Sequence, residues 1–281
     1  MNKLFLILVL LLIFYYYFLI NNKKEHFINN VNNITYNDKF KDYKFSNIYK
    51  NKTNFGDIII AKNKKYGKCL VINEEIQLCD KHERIYHDMM VHFPMKYLNK
   101  DPEYVLIVGG GDLMTLREVM KYKSIKKVIM LELNKKIVNV CKKYFNVSDL
   151  KNNNTVKIIY GDADKTIDNL TMKFDIIIND TTEDNTTNLK IDKKEFFEKC
   201  YKLLNKNGLL VKNGHFFQEY FLEIFNKNVI NYSFYIPYFQ DYYYFTITGK
   251  KDLKNSTLRN FKIDYYYYNP KKHYNYINYD L

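Results

Sequence analysis

The sequence predicts an α/β protein: a mainly parallel sheet with helices on both faces, preceded by a small antiparallel β domain. Three observations carry this. From Tyr104 onward, short and nearly continuous apolar runs alternate with amphipathic stretches, the pattern of strands buried on both faces by crossover helices. Between residues 57 and 79, β-rich runs follow one another across short polar turns, as in an antiparallel meander. The chain has 281 residues, 47% of them apolar, enough for one large domain and a smaller one.

Taken in order, Leu4 to Ile20 is an unbroken apolar run. At ~1.5 Å per residue it spans roughly 25 Å, near the lower limit for a membrane helix. No small-residue cleavage site follows it, only Asn21-Asn22-Lys23-Lys24, so the run reads as an uncleaved single-pass anchor over residues 1–24 rather than a signal peptide. Lys23 and Lys24, against Lys3, place the body of the protein on the cytosolic side. Residues 25–54 read as a polar linker with room for one short strand. The small β domain and its joining helix occupy residues 55–98, with strands at Asp57–Ala61, Lys68–Ile72 and Ile76–Cys79 and a helix from Glu83 to Tyr97. The larger domain fills residues 99–250. Its strands are expected at Val105–Val108, Val128–Leu133, Val156–Tyr160, Asp175–Ile178 and Leu209–Lys212, with helices at Leu113–Tyr122, Lys135–Phe145, Lys193–Leu204 and Phe217–Asn228. Two last strands, around Ser233–Pro237 and Tyr243–Thr248, close the sheet. Five alternating units and a terminal hairpin are the plan of an adenosylmethionine-dependent-transferase-type, Rossmann-like sheet. A polar, Tyr-rich tail, residues 251–281, carries no predicted role.

The formal charge is +13, but the basic residues are nearly all Lys; Arg occurs only at 84, 117 and 259. Readers of bases and phosphates lean on the bidentate Arg fork, so the charge is compositional and no nucleic-acid partner is expected. Of the four cysteines, none forms a C-x-x-C pair, which argues against a zinc or redox centre. Cys141 and Cys200 fall on apolar helix positions, and reduced thiols suit a domain facing the cytosol.

Val108-Gly109-Gly110-Gly111-Asp112 follows the first parallel strand and precedes a helix. Glycines there let the backbone approach a ligand, and the helix N-terminus adds positive potential. Glu132 ends the second strand of the sheet, where an acid can accept both hydroxyls of a ribose. Gly161-Asp162-Ala163 ends the third, where Asp162 can take an adenine amino group, and Asp180 ends the fourth. Ligands bind at the carboxyl ends of such strands, and four acids on one rim favour a cationic nucleoside. His87 and His92 lie about 140° apart around a helix, so no metal site is expected. His92 reads as a hydrogen-bonded core residue and His87 as facing the cleft.

Ile76-Gln77, Glu83, the stretch Tyr86–Pro94, Gly109–Asp112 with Leu116-Arg117-Glu118-Val119, Glu132, Gly161-Asp162 and Asp180–Glu183 together resemble the polyamine aminopropyltransferases, the spermidine-synthase family. The resemblance covers roughly residues 55–250. It implies an enzyme whose co-substrate is decarboxylated S-adenosylmethionine, with no true cofactor. A diamine such as putrescine would attack the aminopropyl arm, giving spermidine and methylthioadenosine. It further implies that Gly109, Gly110, Gly111, Glu132, Asp162 and Ala163 hold the nucleoside, and that Tyr86, His87, Asp112 and Gln77 hold the amines. Glu183 would be the base, with Asp184 and Asp180 as the neighbouring acids, and a homodimer is expected by analogy.

Several positions depart from the family pattern. The base is Glu183 rather than Asp, the following Pro is missing, and the loop Asp184–Lys190 has lost its Pro-Gly character. Leu113-Met114 replaces Gly-Gly and is expected to add bulk beside the aminopropyl pocket. Gly56 stands where a Gln is expected, and Phe239-Gln240-Asp241-Tyr242 replaces a Tyr-Pro-Ser-Gly turn. These changes keep two other readings in play: a methyltransferase using adenosylmethionine, and a non-catalytic, membrane-anchored relative.

Overall fold

The computed structural model describes residues 45–147, 154–181, 193–214 and 219–278. The small domain is a four-stranded antiparallel sheet in sequence order, β1 (Ser46–Thr53), β2 (Gly56–Asn63), β3 (Gly67–Ile72) and β4 (Glu75–Cys79). Apolar residues cluster in β2 and β3, which are largely buried, while β1 is an exposed edge. The stretch 46–53, read as linker with room for a short strand, is thus a full eight-residue strand paired along β2. Its Asn-Lys alternation has no apolar periodicity to announce it. The β3–β4 connection is a two-residue turn in which Asn73 and Glu74 both take positive φ, 49° and 73°, the backbone hand that hairpin twist favours.

A helix, α1 (Glu83–Met95), joins the domains. The larger domain then runs β5 (Tyr104–Gly109), α2 (Met114–Val119), β6 (Lys127–Glu132), α3 (Lys135–Tyr144), β7 (Val156–Tyr160), α4 (Ala163–Thr166), β8 (Phe174–Asp180), α5 (Lys194–Leu203), β9 (Leu204–Asn213), α6 (Glu219–Ile224), β10 (Val229–Ile236) and β11 (Asp241–Gly249). Its seven strands lie in the order β10-β11-β9-β8-β5-β6-β7. β9, β8, β5, β6 and β7 are parallel, and the terminal hairpin adds two antiparallel strands. The chain reverses its direction of travel across the sheet at β5, whose neighbours are β6 and β8, so a crevice opens at the carboxyl ends of those three strands.

Successive residues of β5 alternate between two cores. Val105 and Ile107 pack with Met89, Leu116, Val119 and Val138 on one face. Leu106 and Val108 pack with Phe196, Phe197 and Leu203 of α5 on the other.

Some boundaries move, each for a local reason. α2 starts at Met114 because Leu113 is left-handed, φ 71°, with its N–H bonded back to the Gly110 carbonyl. β9 begins at Leu204, directly after α5, rather than at Leu209. Cys69 and Cys79, to which the sequence assigned no partner, are joined by a disulfide. They are register partners on β3 and β4, a relation that a ten-residue spacing hides until the strands are paired. Cys141 and Cys200 are free and buried, as expected.

The tail is not merely polar. Leu253, Tyr268 and His273 are buried, and Ile277 bridges to Tyr232 on the sheet edge. The expected membrane placement is corrected: among the described residues no helix is long and apolar enough to cross a membrane. The run Leu4–Ile20 on which it rested lies outside the described residues.

Candidate active site

A cavity of about 830 Å³ opens above the carboxyl ends of β5, β6 and β8 and beneath the small domain. Gln77, Tyr86, His87, Gly109, Gly110, Gly111, Asp112, Glu132, Asp162, Ala163 and Asp180 all line it. Glu183 and Asp184 lie outside the described residues. The β5–α2 turn works only with glycine at its start. Gly109 has φ 79°, and a Cβ there would sit 2.3 Å from the Asp180 carbonyl oxygen, where the adjoining Gly110 N–H donates to that same oxygen at 2.9 Å.

The acids divide by their surroundings. Burial pushes the Glu132 carboxyl up; the Asn134 N–H opposes this, and the charges of Asp112 and Asp180 add to it, leaving a pKa of about 7. Asp180 is raised to about 6 by burial and by Asp112, although it accepts from Tyr86 Oη at 2.9 Å and Thr115 Oγ1 at 2.5 Å. Burial would also raise Asp112. The charge and hydrogen bond of His87, with the Met114 N–H at 2.7 Å, hold it below the ordinary range instead. Burial disfavours the His87 imidazolium, but Asp112 at 3.5 Å and Glu83 at 2.9 Å flank its ring and carry its pKa well above the usual value. His87 is therefore a cation clamped between two carboxylates. Behind it, Arg117 donates from both terminal nitrogens to Glu83, at 2.8 and 3.0 Å.

Several participants escaped the sequence reading. Phe239 and Tyr243 wall one side of the cavity, and Asn54, Phe55 and Asn134 wall the other. The tip of the small domain is bonded to the large one there, Asn134 Nδ2 donating to Thr53 Oγ1 at 3.2 Å. Arg117 entered the sequence reading as part of the Leu116–Val119 motif and as one of three Arg in a chain that otherwise uses Lys, but without a role. Two expected departures look different in three dimensions. Leu113 and Met114 are buried in the core, 1% and 2% exposed, and neither lines the cavity. Gly56 has φ 115°, and a Cβ there would meet the Asn73 side chain. Asn73 reaches the cavity wall in its place.

A glycine turn at the switch point, acids ending successive parallel strands, and a roofing β domain define a nucleoside-binding enzyme of the Rossmann-like transferase class. Residues 83–260 match the family model of the spermine/spermidine synthase domain, and residues 41–80 match the spermidine synthase tetramerisation domain. A polyamine aminopropyltransferase of Buchnera aphidicola subsp. Acyrthosiphon pisum is 32% identical over 251 residues, covering 80% of this chain and 86% of that one. One from Clostridium botulinum is 37% identical over 187 residues, 64% of this chain and 65% of that one. A spermidine synthase solved in complex with the transition-state analogue AdoDATO superposes with a TM-score of 0.73 at 24% identity, over 83% of this chain and 86% of that one, a likeness of fold. The chain belongs to the spermine/spermidine synthase family. It is a polyamine aminopropyltransferase, a transferase.

Proposed function

We propose that the cavity binds decarboxylated S-adenosylmethionine with its nucleoside toward Gly109–Gly111, Glu132, Asp162 and Ala163, and its aminopropyl arm toward Asp112. A diamine such as putrescine enters beside Tyr86, His87, Gln77 and Asp180. Its free amine attacks the arm's carbon next to sulfur, the carbon–sulfur bond breaks, and methylthioadenosine leaves with the electron pair as spermidine forms. The observation that carries this reading is the gathering of Asp112, Asp180 and Glu132 on one buried rim, where burial first and their mutual repulsion second lift Asp180 to about 6 and Glu132 to about 7. Cationic ligands relieve that repulsion, and Asp112 repels the carboxylate of ordinary adenosylmethionine, which disfavours the methyltransferase alternative.

An alkylammonium has a pKa near ~10.4, so freeing its lone pair at pH 7 costs roughly 4–5 kcal/mol, and a nearby carboxylate must accept the proton. By family resemblance Glu183 takes this role, with Asp180 and Asp184 adjacent. The match of residues 41–80 to a tetramerisation domain supports self-association through β1–β4; sedimentation velocity distinguishes dimer from tetramer.

The test is a product assay on the full chain with decarboxylated S-adenosylmethionine and putrescine, following spermidine and methylthioadenosine by mass spectrometry. Product that disappears in Glu183→Gln while nucleoside affinity is kept supports the assignment. An active Glu183→Gln moves the base to Asp180 or Asp184. No product from folded parent with any diamine overturns the reading.

A further inference from the structure

The helix that carries Tyr86 and His87 is held by the C-terminal segment, and one buried carboxylate makes the join. Asp88 is fully buried. Its Oδ1 accepts from the Tyr266 N–H at 3.2 Å, and its Oδ2 accepts from Tyr267 at 2.9 Å and Tyr268 at 2.6 Å. Three successive backbone donors converging on one carboxylate form an anion nest. Here the anion belongs to the protein itself, so the segment is docked on α1 by main-chain groups.

The same carboxylate is wired to the cavity. His92 Nε2 is hydrogen-bonded to Glu118 at 3.0 Å and lies 3.3 Å from Asp88 Oδ1. Glu118 accepts from Arg117 Nε at 2.9 Å, Arg117 grips Glu83, and Glu83 orients His87. One turn further along α1, Phe93 is stacked between Tyr232 at 3.9 Å and His273 of the C-terminal segment at 4.1 Å. His273 Nε2 also reaches Tyr97 Oη at 2.9 Å. Thus the segment grips α1 at two points: at Asp88, about 160° around the helix from Tyr86 and about 100° from His87, and at Phe93, which seven residues on shares the face of Tyr86.

We propose that Asp88 is a positioning residue: by clamping the C-terminal segment to α1, it fixes Tyr86 and His87 at the amine end of the site. This rests on the proposed function, in which those side chains meet the diamine. The nucleoside residues sit at the β5, β6 and β7 ends, outside α1 and the C-terminal segment.

The test compares full-length parent, Asp88→Asn and Asp88→Glu. Asp88→Asn keeps the shape and loses the anion. It is expected to raise the diamine KM at least fivefold and lower kcat at least tenfold per folded molecule, while methylthioadenosine affinity stays within twofold. Hydrogen exchange of α1 amides should quicken, and Asp88→Glu should recover most of the loss. Parent-like diamine kinetics in Asp88→Asn overturn the proposal. So does an equal loss of methylthioadenosine affinity, the signature of general structural damage. If Asp88→Asn does not fold, His273→Ala removes the second grip without touching Asp88, and unchanged diamine KM and α1 exchange there overturn it equally. A parent that makes no product refutes the functional reading instead, and α1 exchange still decides the clamp.

Discussion

Burial and the neighbouring charges hold Glu132 and Asp180 at pKa values of about 7 and about 6, and this has a thermodynamic signature. A sulfonium or ammonium favours their ionised forms, so its binding lowers both pKa values and expels protons. Between pH 6 and 7, calorimetry of the decarboxylated nucleoside in buffers of different ionisation enthalpy should show net proton release, and affinity should fall as pH drops through that range. Buffer-independent heats would exclude these acids from the binding equilibrium. Asp112→Asn should weaken the same ligand by ~1.5–3 kcal/mol, the worth of a charge-assisted hydrogen bond. Glu132 and Asp180 were legible in the sequence because each terminates an apolar strand, and Asp112 because it closes the glycine run after one. The clamp of His87 between Glu83 and Asp112 was only half legible, since helix spacing gives the i,i+4 pair but not the reach of Asp112 across the turn.

At the scale of elements, the β3–β4 hairpin is closed by a covalent bond between Cys69 and Cys79, and the strands so joined carry Leu70, Ile72 and Gln77 to the cavity wall. Short loops gain less from cross-linking than long ones, so losing the bond should cost about 2–3 kcal/mol. Cys79→Ser should show that drop in urea unfolding, and reductant should impose a comparable one on the parent; a parent indifferent to reductant would show that the thiols are not joined. The strands and helices of the large domain were readable because burial on both faces writes apolar runs of strand length. β1 was not, since an exposed edge strand needs no apolar residues. The docking of the tail was hidden for another reason: backbone N–H groups make its bonds to Asp88, and every residue but proline supplies one.

For the whole molecule, the charged groups pull stability in opposite directions with pH. Burial opposes ionisation of Glu83, but bonds from His87 and Arg117 hold it low, and Asp112 is lowered likewise. Their contribution is present above the unfolded carboxylate pKa and disappears as pH falls through their depressed values. His87, raised, contributes below its unfolded pKa and is lost as pH rises through its folded one. Glu132 and Asp180, also raised, favour the folded state when protonated, so ligand-free stability declines as pH climbs from about 4.5 to 7. For Glu132, raised from 4.5 to about 7, the swing is on the order of 3 kcal/mol. The melting temperature of the ligand-free chain should therefore fall between pH 5 and 8, and Glu132→Gln should flatten that slope. A melting temperature that rises over the interval would mean the rim acids are ionised throughout.

Leu113 gives the turn after β5 a different character from its neighbours. A left-handed leucine holds about 1–3 kcal/mol of backbone strain, and here it is tolerated because the side chain is 1% exposed in the core. Burying such a side chain returns ~1.5–3 kcal/mol, so the dihedral and the packing are nearly balanced. The loop that lines the cavity after β5 is in effect a bent spring whose catch is an isobutyl group. Leu113→Gly would let the spring relax and remove the catch together. Its melting temperature should fall, since the cavity left by a buried leucine costs about 2–5 kcal/mol against about 1–3 kcal/mol of relieved strain, while the Gly109–Asp112 amides exchange faster and nucleoside affinity declines.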